Sequence, residues 1–231
     1  KAMEEHGLSP DFICGVSSGA IVGAFYADGW KPTDIFDLFQ DQHFFNFVRL
    51  SFPVTGMLKL SGFTKLLKEN LSVTHFEGLK KRLMVMTTNF NEGSPAFFDQ
   101  GDLIQPTLAS SSIPVLFSPV RIGNDLYVDG GLMDNLPYEP ANAYCEDLTG
   151  VHVNPLGRNP NIGNMIDVAE RTFQLSVVAN IWDKYDKFNL LIEPKGLDQF
   201  NILRLAHAQR IFDIGYEGAC RTIEEMHNVP D

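Results

Sequence analysis

The stretch Cys14-Gly15-Val16-Ser17-Ser18-Gly19-Ala20 constrains this chain more than any other. A short apolar run, Asp11-Phe12-Ile13, precedes it, and Ala20-Ile21-Val22-Gly23-Ala24-Phe25-Tyr26-Ala27 follows. The order reads as strand, tight turn and helix, with a serine at the turn. Gly-x-Ser-x-Gly in that context is the pattern of a nucleophile elbow, in which a strained backbone pushes the serine hydroxyl out of the sheet. Side chains two residues to either side are expected to clash, which accounts for Gly15 and Gly19. The helix that opens after the serine aims backbone N–H groups and its positive dipole end at a reacting oxygen. The competing reading of the same pattern is an ordinary strand-to-helix turn; the apolar strand before it and the apolar helix after it favour the elbow.

Beyond the elbow, strands and helices alternate. Thr33-Asp34 starts a helix through residue 39, and an aromatic stretch follows with Phe39, Phe44, Phe45, Phe47 and Phe52. Its spacing is neither helical nor alternating, and it reads either as core packing or as the wall of an acyl pocket, with Phe44, Phe45 and Phe47 as candidates. Leucines at helical spacing predict a helix over 62–71, and an apolar run predicts a buried strand over 83–90. A turn at 91–93 leads to a returning strand at 95–98. Asp102 is placed to cap a helix to Ala109, ended by Ser110-Ser111-Ser112-Ile113-Pro114. Residues 115–122 read as extended, Gly123-Asn124-Asp125 as a hairpin turn, and Leu126-Tyr127-Val128 as a strand returning to Asp129-Gly130-Gly131. A helix over 138–144, a strand over 148–153, a helix over 165–181, a strand over 190–194 and an amphipathic helix over 202–226 complete the pattern. Gly215 is a possible bend in the last of these. Such alternation implies an α/β fold with a largely parallel, buried sheet. With no repeat, low-complexity segment or linker, a single domain over residues 1–231 is the economical division.

The 231 residues are 44% hydrophobic and 20% charged, which supports a sizeable core and argues against disorder. A net charge of −11 and a pI near 4.9 argue against a nucleic-acid partner. Three widely spaced cysteines, Cys14, Cys145 and Cys220, suit neither a disulfide framework nor a zinc site, and fit reduced thiols in a cytoplasm-like compartment. No apolar run reaches the length of a membrane span. No metal-ligand cluster and no Gly-x-x-x-x-Gly-Lys loop is present, so neither a metal nor a nucleotide cofactor is implied.

A serine hydroxyl needs a base within hydrogen-bond reach. Of the six histidines, His207 and His227 fall in or after the last helix and His152 in a strand, so none sits in the loop expected of a Ser-His-Asp triad. Asp129 is the better placed group: it ends a strand after a tight hairpin and precedes two glycines, Gly130 and Gly131, which allow another backbone to approach.

Gly15-Val16-Ser17-Ser18-Gly19 with its helix, together with Asp129-Gly130-Gly131 and Asp134-Asn135-Leu136-Pro137, resembles the patatin-like phospholipases. The segments over 101–114 and 150–155 resemble the family too, and the likeness runs from residue 1 to about 226. It implies a three-layer α/β sandwich and a Ser-Asp dyad without histidine, with Ser17 as nucleophile and Asp129 as base. The implied reaction is hydrolysis of lipid or phospholipid acyl esters through an acyl-serine intermediate, with a membrane surface as a candidate place for it. The protein itself would then be cytoplasmic or peripheral to the membrane. The family's glycine-rich oxyanion loop lies ahead of the elbow helix-strand unit and has no counterpart in these residues; only the N–H of Ser18 is assignable to an oxyanion hole. Residues 1–7 read as the end of a helix closed by Gly7, so the loop is expected upstream of Lys1. Two alternatives stand beside the hydrolase: a catalytically silent lipid- or partner-binding relative, and a Ser-His-Asp α/β-hydrolase esterase.

Overall fold

The computed structural model describes residues 1–40, 60–158, 162–200 and 207–228. The chain opens with a helical turn, α1 (Ala2–Glu5), followed by β1 (Phe12–Val16), α2 (Ser18–Asp28) and α3 (Pro32–Gln40). Gly7 carries a positive φ of 76°, and the Leu8 N–H reaches back to the Met3 carbonyl, so α1 ends in the left-handed turn that glycine allows. Then come α4 (Ser61–Asn70), β2 (Arg82–Asn89), β3 (Ser94–Phe98) and α5 (Ile104–Ser110). The hairpin β4 (Val120–Ile122) and β5 (Asp125–Asp129) leads through α6 (Tyr138–Asn142) and β6 (Thr149–Val151) to α7 (Met165–Ala179). β7 (Leu190–Ile192) and α8 (Ala208–His227) close the chain.

β2 is buried along seven of its eight residues, so both of its faces are covered. Leu83 and Val85 point to a core built from α2, α3, α4 and α5 around Phe25, Leu67 and Leu103. A smaller core joins Ala2 of α1 to Leu190 and Ile192 of β7 and to Ala219 and Ile223 of α8. Helices therefore pack on the strands as the alternation implies, and the fold is α/β.

The strand pairing is mixed. β1 runs parallel to β2, and β6 parallel to β7, whereas β2–β3, β2–β5 and β4–β5 are antiparallel. Burial on both faces reads as a run of apolar residues whichever way a neighbour points, so the pattern that suggested a largely parallel sheet does not carry direction.

One feature of the register places the site. β3 occupies one edge of β2 along Val85–Asn89. Both β1, paired as far as Val16 opposite Met86, and β5, paired from Asp129 opposite Thr87, must therefore lie on the other edge. They lie end to end, and because one is parallel and the other antiparallel to β2, their C-terminal ends meet.

Most sequence-predicted elements lie within a residue or two of those observed. Three differ. The stretch expected to be extended from 115 becomes a strand only at Val120, because Val115 turns the chain with a φ of 71°. The helix expected from 202 is described from Ala208, its first residues lying outside the described ones, and it runs unbroken through Gly215. Phe44, Phe45 and Phe47 also lie outside the described residues. Among the described residues no helix is long and apolar enough to cross a membrane.

Candidate active site

Ser17 follows β1 directly and Asp129 is the last residue of β5, so the meeting of those two strand ends brings them together. The Ser17 hydroxyl donates to Asp129 Oδ2 at 2.6 Å. Ser17 adopts φ 54° and ψ −125°, a conformation that a non-glycine residue occupies at a cost of about 1–3 kcal/mol and that needs the surroundings to hold it.

The flanking glycines divide. A Cβ on Gly15 would lie 2.7 Å from the Ala20 Cα and the Gly19 carbonyl, so the expected clash is real there. A Cβ on Gly19 would meet nothing within 4 Å, so steric necessity does not account for it. Gly19 sits on the outward side of α2, where its lack of a side chain leaves open space beside Ser18. Gly130 is required for the reason its sequence context suggests: a Cβ would sit 2.5 Å from the Met86 carbonyl oxygen, the backbone of β2 itself. At Gly131 the nearest atom is the Asn135 side-chain oxygen at 2.7 Å, with the Asp129 carboxylate at 3.2 Å.

Asp129 is fully buried. Its Oδ1 accepts the Gly131 N–H at 2.8 Å, and its backbone is fixed by the Thr88 hydroxyl donating to its carbonyl at 2.9 Å. Burial pushes its carboxyl up to about 7, partly offset by the bonds from Ser17 and Gly131, which favour the ionised form. The turn after it is braced from α7: Val177 packs on Gly131, the Asn180 amide donates to the Gly131 carbonyl at 3.1 Å, and its oxygen accepts the Asn135 N–H at 3.0 Å.

Ser18 is the first residue of α2, so its N–H is one of the four at a helix start without a carbonyl partner inside the helix. Near the far end of α2, Phe36 and Phe39 of the aromatic stretch line an apolar groove of about 380 Å³ with Val22, Tyr26, Ile35 and Phe212. Phe36 lies on the Phe212 ring at 4.2 Å and Phe39 meets Phe25 edge-on, so these two serve packing.

Among the described residues no histidine hydrogen-bonds Ser17. His152 is buried elsewhere, with Nδ1 2.7 Å from Glu193 Oε2 and 3.2 Å from the Tyr185 hydroxyl. His6 turns back to the Ala2 carbonyl, and His227 ends α8 in solvent. No group of three or more His, Cys, Asp or Glu that could hold a metal occurs among the described residues. Sequence reasoning read Ser110, Ser111 and Ser112 as the end of a helix in a segment that resembles the family, and named none of them at the site; the fold brings them against both Ser17 and Asp129: Ser110 Oγ lies 2.9 Å from the Ser17 N–H nitrogen, and the Ser112 carbonyl accepts the Asp129 N–H at 2.9 Å. The signal available was a run of three serines, which marks a helix end as readily as a site.

The chain has relatives among known proteins. The chain is 26% identical to the lysophospholipase NTE1 of Scheffersomyces stipitis over 93% of its own length, and 22% identical to the neuropathy target esterase sws of Drosophila melanogaster over 98%. It spans only 16% and 18% of those proteins. Among solved structures, VipD from Legionella pneumophila superposes with a TM-score of 0.58 at 14% identity, covering 97% of this chain and 63% of that one, which is a likeness of fold. The family model for patatin-like phospholipases matches residues 1–142, more than half of the 231, and the chain belongs to that family.

Proposed function

We propose that this chain is a lipid acyl hydrolase in which Ser17 is the nucleophile and Asp129 its base. The observation that carries the reading is the 2.6 Å hydrogen bond from a strained Ser17 to a buried carboxylate.

The chemistry follows from the geometry. Ser17 Oγ attacks the carbonyl carbon of an acyl ester as its proton passes to Asp129 Oδ2. The carbonyl oxygen, now an oxyanion, takes the Ser18 N–H at the positive end of α2. Collapse of the tetrahedral intermediate expels the alcohol, which recovers the proton from Asp129 and leaves an acyl-Ser17 ester. Water activated by the same carboxylate then releases the fatty acid. A carboxylate of ordinary pKa is too weak a base for this at neutral pH, whereas one pushed up to about 7 is matched to the task.

The substrate class is a phospholipid or lysophospholipid ester, in line with the family and with the lysophospholipase name of the fungal relatives. The protein meets it at a lipid surface. The test is labelling with a fluorophosphonate probe alongside hydrolysis of lysophosphatidylcholine. Ser17→Ala is expected to lose both while keeping its thermal unfolding transition. Labelling that persists in that variant, or maps to another residue, removes the proposal.

A further inference from the structure

Ser17 holds an unfavourable backbone conformation, and something must keep it there. Its neighbours in β1 do not, since β1 pairs with β2 only as far as Val16. Three consecutive serines at the end of α5 do reach it. Ser110 is fully buried; its hydroxyl accepts the Ser17 N–H at 2.9 Å and donates to the Met86 carbonyl at 2.6 Å. The Ser111 hydroxyl donates to the Ser17 carbonyl at 3.0 Å, with the Thr107 carbonyl a second acceptor at 3.3 Å. The Ser112 carbonyl accepts the Asp129 N–H at 2.9 Å, while its hydroxyl donates back to the Leu108 carbonyl of α5 at 2.8 Å.

One tripeptide thus touches the N–H and the carbonyl of Ser17 and the N–H of Asp129. Through Met86 it is also tied to the point on β2 where β1 and β5 meet. β2 fixes the two strand ends through Val16 and Asp129, and this tripeptide adds direct bonds to the backbone of Ser17 itself. We propose that Ser110-Ser111-Ser112 is an alignment clamp, in which Ser110 and Ser111 are positioning residues that hold Ser17 in its strained conformation and Ser112 sets Asp129 within hydrogen-bond distance of it. This rests on the Ser17–Asp129 reading above.

Ser110 uses its hydroxyl as acceptor and donor at once. Alanine supplies neither and leaves the Ser17 N–H free to relax away from φ 54°. A misplacement of about 1 Å costs on the order of a hundredfold in rate.

The experiment compares Ser110→Ala with Ser110→Thr, which keeps the hydroxyl, on a soluble short-chain ester. Hydrogen exchange at the Ser17 amide and thermal unfolding are followed in parallel. Ser110→Ala is expected to lower kcat by roughly ten- to a hundredfold with KM within about threefold, and to speed exchange at the Ser17 amide. Ser110→Thr is expected to restore most of both, and Ser110→Ala to add little on an Asp129→Asn background. An unchanged kcat despite faster exchange at Ser17 overturns the proposal, as does a loss that threonine does not recover in a protein that unfolds normally. If Ser110→Ala does not fold, Ser111→Ala, at a half-buried position, decides the matter: several-fold loss of kcat supports the clamp and none overturns it. A wild-type protein with neither hydrolysis nor probe labelling removes the hydrolase reading alone, because exchange at the Ser17 amide still reports whether Ser110 holds it.

Discussion

A hydroxyl meets a carboxylate at the end of a strand both in the Ser17–Asp129 pair and around Glu193, and the two clusters are built to opposite effect. At the meeting of β1 and β5, Ser17 donates to Asp129. At the ends of β6 and β7, His152 and Tyr185 both bond Glu193. The second cluster has more of the groups associated with catalysis, yet His152 is sealed: its Nε2 is buried without a hydrogen-bond partner among the described residues. Ser17 is half-buried, and its hydroxyl faces a carboxylate that burial has pushed up to about 7. Around Glu193 burial also pushes the carboxyl up, but the bonds from His152 and Tyr185 outweigh it and hold the group below the usual range. One acid is kept ready to take a proton and the other is kept ionised. Histidine and carboxylate in contact do not make a catalytic pair; the position of a nucleophile relative to them does.

The largest effects should fall on one side of this comparison only. Ser17→Ala is expected to reduce hydrolysis by roughly ten-thousandfold or more, and Asp129→Asn by about a thousandfold to ten-thousandfold, on the pattern of serine hydrolases with a known mechanism. His152→Gln should leave kcat within about threefold. A rate for His152→Gln as low as that for Ser17→Ala would break the comparison and restore a histidine mechanism.

The glycines sharpen it next. Gly130→Ala drives a methyl to 2.5 Å from the Met86 carbonyl, which cannot move without disturbing β2. A loss of about 1–3 kcal/mol is expected, with activity falling alongside as Asp129 shifts. Gly19→Ala meets nothing within 4 Å and lies in a helix, so it should be neutral or stabilising by a few tenths of a kcal/mol. Urea denaturation of the two variants checks both signs.

Asp129 carries a pH signature. In the proposed mechanism it must be ionised to accept the Ser17 proton, so kcat/KM should fall about tenfold per unit as pH drops below about 7. Stability moves the other way. The folded state binds the Asp129 proton more tightly than the unfolded state does, so ionising it between its ordinary value of 3.8 and about 7 removes stability as pH rises. Asp129→Asn should therefore unfold at a higher temperature than the wild type at pH 8 while being inactive, with the gain vanishing near pH 4. Equal stability at pH 8 would mean that the buried charge is compensated.

Much of this was legible in the chain. The elbow could be read because a serine between two glycines, after a strand and before a helix, has few other uses. Asp129 could be read because the hairpin at 123–125 and the two glycines fixed where its strand ends. What could not be read is what depends on register. That β1 and β5 share one edge of β2 follows from β3 taking the other, and a buried apolar strand carries no mark of which neighbour lies on which edge. Ser110, Ser111 and Ser112 could be read as a helix end but not as part of the site, for a related reason: small polar residues after a helix serve capping and turns equally well, and the approach of β1 and β5 gives these their partners.

The smallest effect tests the quiet half of the comparison. Tyr185→Phe removes one hydroxyl from Glu193 while leaving His152 in place, and should cost about 1 kcal/mol with no change in kcat. Its pH dependence should be the reverse of that at Asp129. Glu193 is held ionised in the folded state, so what its partners contribute is present above the ordinary carboxylate range and is lost as pH falls through the lowered folded value. The difference in unfolding temperature between wild type and Tyr185→Phe should thus be steady from pH 8 down to about 5 and shrink below pH 4. A difference that instead grew toward low pH would mean that Glu193 is held protonated. The two carboxylates would then be alike in kind, and the contrast between a catalytic and a structural acid would rest on the elbow alone.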